Sequence, residues 1–171
     1  MTQISKALIL FTFFIGCSSG NLLPNDFNFT LSDNEWCVIV NGCKGMGDYE
    51  ENGRREFRFP KSGIVLADIK NLEITKDDKF FIEDKEFSPS GTDTNDYKLC
   101  YHMVSLNSGY NAHYLAKQRG LKVGKGMKEM QDFDLFFFRV NKKCEDPEIN
   151  LDDYFDKVWV YLLKNDVRSI K

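Results

Sequence analysis

Apolar and polar residues along this chain fall mostly into short alternating stretches or short apolar blocks. Trp36 to Val40 is a brief apolar run rich in β-branched residues. Glu56-Phe57-Arg58-Phe59 alternates and stops at Pro60. Ile64 to Ile69 follows a Lys-Ser-Gly turn, and Lys79 to Phe87 reads as a strand with a charged tail. Tyr97 to Leu106 alternates, with Tyr97, Leu99, Tyr101 and Met103 on one face and Lys98, Cys100, His102 and Val104 on the other. Phe133 to Val140 is apolar on both faces at its centre, the pattern of an internal strand. Val158 to Leu163 reads as one more strand. About seven strands at these intervals suit a sandwich or a barrel.

Two stretches break the period of two. Ala112 to Arg119 reads as a short helix ended by Gly120. Asp146-Pro147-Glu148 could open a helix into Leu151 to Phe155, with acids in its first turn as the helix dipole favours. The expected fold is therefore mainly β with one or two short helices. Tyr114-Leu115-Ala116, then Gly120 and later Phe136, resembles one lobe of a β-trefoil, which stands as the alternative.

Composition agrees. Of the residues, 14% are aromatic, including 15 Phe and 7 Tyr, enough to fill a core and weighted towards strands. The 171 residues suit one domain. A net charge of −3 gives no global field to attract nucleic acid.

The N-terminus reads as an export signal. Lys6 precedes an unbroken small-or-apolar run from Ala7 to Gly16. Spanning a bilayer core takes about 20 apolar residues, so this run is an h-region and not a membrane span. Phe14-Ile15-Gly16-Cys17 resembles a bacterial lipobox, in which a small residue precedes the cysteine to be acylated, although Phe14 stands where Leu is usual. On that reading residues 1–16 are the signal peptide, Cys17 carries lipid, 17–22 form a tether and 23–171 form a single β-rich domain. The competing reading is ordinary cleavage near Ser19 or Gly20 and free secretion.

Either route removes Cys17 from the pairing count. Cys37, Cys43, Cys100 and Cys144 remain as disulfide candidates for an oxidising compartment, with three pairings open. If Asn41-Gly42 is a two-residue hairpin turn, Val40 faces Cys43 and Cys37 is out of register for a direct bridge.

The segment from Leu23 to Phe87 carries a resemblance. Pro24 to Phe27 matches a Pro-x-x-Phe strand start, Val38 to Val40 a V-I-V strand, Arg55 to Ile64 an arginine-containing strand ending in Pro-Lys-Ser-Gly-Ile, and Lys79 to Ile82 an aromatic closing strand. Together they resemble a family of small, uncharacterised bacterial secreted or lipid-anchored proteins. The resemblance implies an immunoglobulin- or transthyretin-like β-sandwich. It implies no activity.

Candidate chemistry is sparse. Cys100 and His102 sit at i, i+2 on one strand face, and His113 could return as a third metal ligand. A disulfide-bonded Cys100 beside a surface histidine explains the pair more cheaply. The acids Asp77, Asp78, Glu83, Asp84, Glu86 and Asp93 could in principle supply a glycosidase pair, but solvated strand faces account for them. Gly120 to Lys128 lacks the spacing and the hydroxyl residue of a phosphate-binding loop. No catalytic residue, metal or cofactor is therefore expected. A charge pattern remains: Lys117, Arg119, Lys122, Lys125 and Lys128 without an intervening acid, then six acids from Glu145 to Asp156 without an intervening base. The two runs either pair with each other or present a bipolar surface to a charged partner.

The expectation is a lipid-anchored protein of the bacterial cell or outer membrane. Its role would be binding, inhibition or immunity rather than catalysis, through a protein partner and not nucleic acid. A freely secreted lectin- or cytokine-like binding module is the alternative.

Overall fold

A computed structural model describes residues 23–30, 36–45, 50–70, 72–87, 100–141 and 151–171. The signal segment, Cys17, the tether, Asp93 and Cys144 lie outside the described residues. The elements run β1 (Asn25–Phe29), β2 (Trp36–Asn41), β3 (Glu50–Glu51), β4 (Arg54–Arg58), β5 (Ile64–Ala67), β6 (Lys79–Ile82), β7 (Lys85–Phe87), β8 (Cys100–Asn111), α1 (Ala112–Arg119), β9 (Met130–Asn141) and α2 (Asp152–Lys164).

Alternation on β1 turns Phe27 and Phe29 inward. β1 is the centre of a five-stranded sheet ordered β3-β4-β1-β6-β7. Phe27 stacks on Phe57 at 5.3 Å and on Phe80 at 5.2 Å, its neighbours on the flanking strands. A second sheet is ordered β5-β2-β9-β8. Its face towards the first carries Cys37, Ile39, Val65, Ala67, Phe136 and Phe138, and these close one core with the β1, β4 and β6 phenylalanines. The opposite face carries Trp36, Val38, Val40, Phe133, Leu135 and Phe137 and closes a second core with Leu115 and Ala116 of α1 and Val158, Leu162 and Leu163 of α2. The layers are thus sheet, sheet and helices. At β2 and β9 the four-stranded sheet is buried on both sides, which is why Leu135 to Phe138 is apolar at consecutive positions.

Mainly β with two helices is the observed class. The pairing departs from an immunoglobulin sandwich, whose sheets are antiparallel. Here β1–β4, β1–β6 and β2–β5 are parallel. The trefoil alternative fails locally: Tyr114-Leu115-Ala116 lies in α1, not in a strand.

Several local expectations change. Val158 to Leu163 is the second half of α2, not a strand. Leu151, Val158 and Leu162 are buried at spacings of seven and four, a helical stripe that the short apolar run conceals. Lys79 to Phe87 is a hairpin, β6 and β7, turning at Glu83 and Asp84 with φ of 48° and 65°. Asn41-Gly42 is not a hairpin turn. The Asn41 side chain is buried, accepting from Ile69 N at 2.8 Å and donating to Ile69 O at 3.0 Å, and so fixes the exit from β5. Expected α1, by contrast, is observed over the same residues. Asn111 caps it by accepting from Tyr114 N, and Gly120 closes it at φ 63°.

Candidate binding surface

The two helices meet at their solvent side. Lys117 and Arg119 occupy the last turn of α1, where the helix dipole favours cations. Asp152 and Asp153 occupy the first turn of α2, where it favours anions. Arg119 reaches Asp156 of α2 at 2.6 Å. The basic and acidic runs of the sequence are therefore joined at this point. Both side chains are about half exposed, so the pair orients the helices more than it stabilises them.

Beside that pair lies an open groove of about 460 Å³, lined by Arg119, Leu121, Asp156, Lys157, Val160, Tyr161 and Lys164. Its charges are three cations and one acid, over apolar surface from Leu121, Val160 and Tyr161. Lys157 also sits over the Tyr154 ring at 5.0 Å. The wall is held from beneath. Trp159 stacks on Tyr110 at 5.1 Å and on Phe155 at 5.8 Å. The Tyr154 hydroxyl donates to the Trp36 carbonyl, tying α2 to β2.

Of the predicted basic set, only Arg119 lines the groove. Lys117, Lys122, Lys125 and Lys128 are exposed on α1 and the loop after it, and Lys128 donates to the Lys171 carbonyl at 2.8 Å. Lys157, Val160, Tyr161 and Lys164 go unmarked in the sequence pattern because Val158 to Leu163, which Lys157 and Lys164 flank, reads as a strand. Their i, i+3, i+4, i+7 spacing on a helix was the available signal.

The other candidates separate. His102 lies on β8 and His113 on α1, beyond the strand's far end at Asn111. About 30 Å of extended chain lies between His102 and that end, so the three-ligand set with Cys100 does not assemble. Among the described residues no group of three or more His, Cys, Asp or Glu could hold a metal. Asp78 accepts from Asn25 N at 2.7 Å and Thr75 N at 2.8 Å, Asp84 from Asn28 at 2.6 Å, and Glu86 pairs with Lys79 at 3.2 Å. These acids hold turns and strand ends together.

Cys37, on β2, belongs to the core between the two sheets, and Cys43, two residues past the end of β2, to the helix-side core, which rules out a direct bridge between them. Cys43, a disulfide candidate in the sequence, is a thiol in this structure, donating to the Val40 carbonyl at 3.1 Å. Burial pushes its pKa up to about 12, Asp68 adds to the rise, and a backbone hydrogen bond at Ala67 only partly offsets it. Such a thiol is a poor nucleophile. Burial likewise raises the nearby Tyr110 phenol, with Cys43 and Asp166 adding. The side chain of Cys100 and all of Cys144 lie outside the described residues.

No protein-family model matches the chain. No curated protein matches it. Among solved structures, it is similar to the crystal structure of a "Putative Lipoprotein from Bacillus anthracis", at 11% identity and a TM-score of 0.51, over 83% of this chain and 93% of that one. At this identity the likeness is one of fold. Among the described residues no helix is long and apolar enough to cross a membrane.

Proposed function

We propose that this is an exported protein held at the bacterial cell envelope by lipid on Cys17, and that it works by binding a protein partner rather than by catalysis. The observation that carries the reading is the fold similarity to the protein named "Putative Lipoprotein from Bacillus anthracis", over 93% of that chain. Cys17 supports it, standing directly behind a small residue at the end of the h-region. The two sheets facing each other across an aromatic core support a sandwich related to the immunoglobulin or transthyretin type, extended here by parallel pairs and a helix layer.

The groove between α1 and α2 is the binding face in this reading. Three cations around an apolar floor suit an acidic protein surface that also carries apolar groups. Cys43, a thiol of the helix-side core, is a poor nucleophile because burial keeps its proton on. Intact mass of the exported protein tests the anchor. Lipid mass on an N-terminal Cys17, with Cys17→Ser leaving the membrane fraction, is expected. A mature N-terminus at Gly20 or Asn21 with no added mass would replace this reading with free secretion.

A further inference from the structure

The four edges of the two sheets are not alike. β3 has two residues, both Glu, and β7 has three, Lys85, Glu86 and Phe87. β5 has four. Short or charged edge strands are how natural sheets resist edge-to-edge pairing. Among the described residues β8 is the remaining edge, and it carries no such protection. It runs for twelve residues, an edge about 40 Å long. From Cys100 to Asn111 it has no Lys, Arg, Asp, Glu or Pro. Its pairing with β9 runs in one unbroken register, from Cys100 opposite Asn141 to Asn111 opposite Met130, so no bulge twists the edge away.

β8 also overhangs. Met103, Ser105 and Asn107 point to the side on which the five-stranded sheet covers β2 and β9, yet all three are exposed. Met103 is 40% exposed. Four large apolar side chains are exposed among the described residues: Met103, Tyr114, Met130 and Ile170. The first lies on β8, the second in the helix that follows it, and the third is the register partner of its last residue.

We propose that β8 is an assembly edge whose occupant is β8 of a second copy, paired antiparallel about a two-fold axis normal to the sheet. The strand's own chemistry selects that occupant. Two-fold pairing sets the strand against its reverse, and a strand without Lys, Arg, Asp or Glu meets no like charge in any register. Each copy's outward row of N–H and C=O groups is satisfied by the other's, along a length that a short foreign segment would fill only in part. The axis keeps equivalent faces together, so the two four-stranded sheets become one of eight strands, with both helix layers on one side. The exposed Met103 of each copy, on the edge strand itself, gains apolar cover along the seam.

Sedimentation of the exported protein, in density-matched detergent, reads the mass. Amide hydrogen exchange across β8 reads the place. Twice the protomer mass is expected, with β8 amides protected in a concentration-dependent way. Met103→Lys with Ser105→Lys alters only exposed positions and places two cations on each copy's edge. It should leave the circular-dichroism spectrum unchanged, halve the mass and remove that protection. A single-copy mass at tens of micromolar wild-type protein would overturn the proposal. So would a dimer that survives the double substitution. Protection of β8 that appears only when another protein is supplied would assign the edge to a foreign strand and overturn self-pairing.

Discussion

Phe138 is wholly buried where the two sheets meet, with its ring 5.1 Å from Phe27 and 5.8 Å from both Phe29 and Phe59. Phe138→Ala should cost about 3–5 kcal/mol, read as a shift in the urea midpoint. Alternation and aromatic density together mark Phe57, Phe59, Phe80, Phe136, Phe138 and Trp159 as core; the five phenylalanines are buried, and Trp159 is half-buried on α2. Gly63 is different. It sits at φ +70°, and a Cβ there would lie 2.9 Å from the Trp36 carbonyl and 3.0 Å from the Tyr154 hydroxyl. Gly63→Ala should destabilise by roughly 1–3 kcal/mol by thermal melt, since strain and crowding act together. Half of that constraint comes from the far end of the chain, so no local pattern announces it. Cys43 gives a pH prediction. Its ordinary value is 9.0 and its folded value about 12, so between them the folded state keeps a proton that the unfolded chain has lost. Stability should be intact below pH 9 and decline as pH rises towards 12. Tyr110 adds to the same decline. Cys43→Ala should lower stability at pH 7 but flatten its fall with pH, as urea unfolding at pH 8, 9.5 and 11 would show. A wild-type curve no steeper than the variant's would refute the assignment.

Elements were legible where local chemistry decides them and illegible where partners do. α1 could be placed from Asn111 and Gly120 because a cap and a left-handed stop are local devices. The β6–β7 turn was hidden because it uses Glu83 and Asp84 at positive φ, where Asn and Gly are the usual choice. Glu83→Asn should therefore stabilise the hairpin by roughly 0.5–1 kcal/mol. Asp84 is better left alone, because its carboxylate holds Asn28. A variant less stable than wild type in denaturant melts would mean that the Glu83 side chain has a role of its own. In α2, the apolar run Val158 to Leu163 mimics a strand, and the stripe through Leu151, Val158 and Leu162 emerges only over a longer window. That single misreading also concealed the groove, since four of its lining residues lie on α2 beyond Asp156.

At the scale of the whole molecule, strand order was the part that sequence patterning does not encode. β1 is flanked by β4 and β6 through parallel registers, and β2 by β9 from the other end of the chain. Hydrophobic pattern says which face of a strand is buried, not which strand lies beside it. The same long-range closure makes the C-terminal segment indispensable. Val158, Leu162, Leu163 and Val167 are buried against the helix-side face of the four-stranded sheet, and Cys43 bridges to Ser169. Each buried side chain of this size is worth about 1.5–3 kcal/mol. These four alone approach the roughly 5–15 kcal/mol that holds a whole domain together. Deleting residues 151–171 should therefore give no folded domain, rather than a weakened one. It would also expose Trp36, Val38, Val40, Phe133, Leu135 and Phe137 as one apolar surface. Limited proteolysis and dye binding would show this as rapid digestion and strong fluorescence across β2 and β9. A truncated chain that melts cooperatively would mean that the two sheets stand without their helix layer.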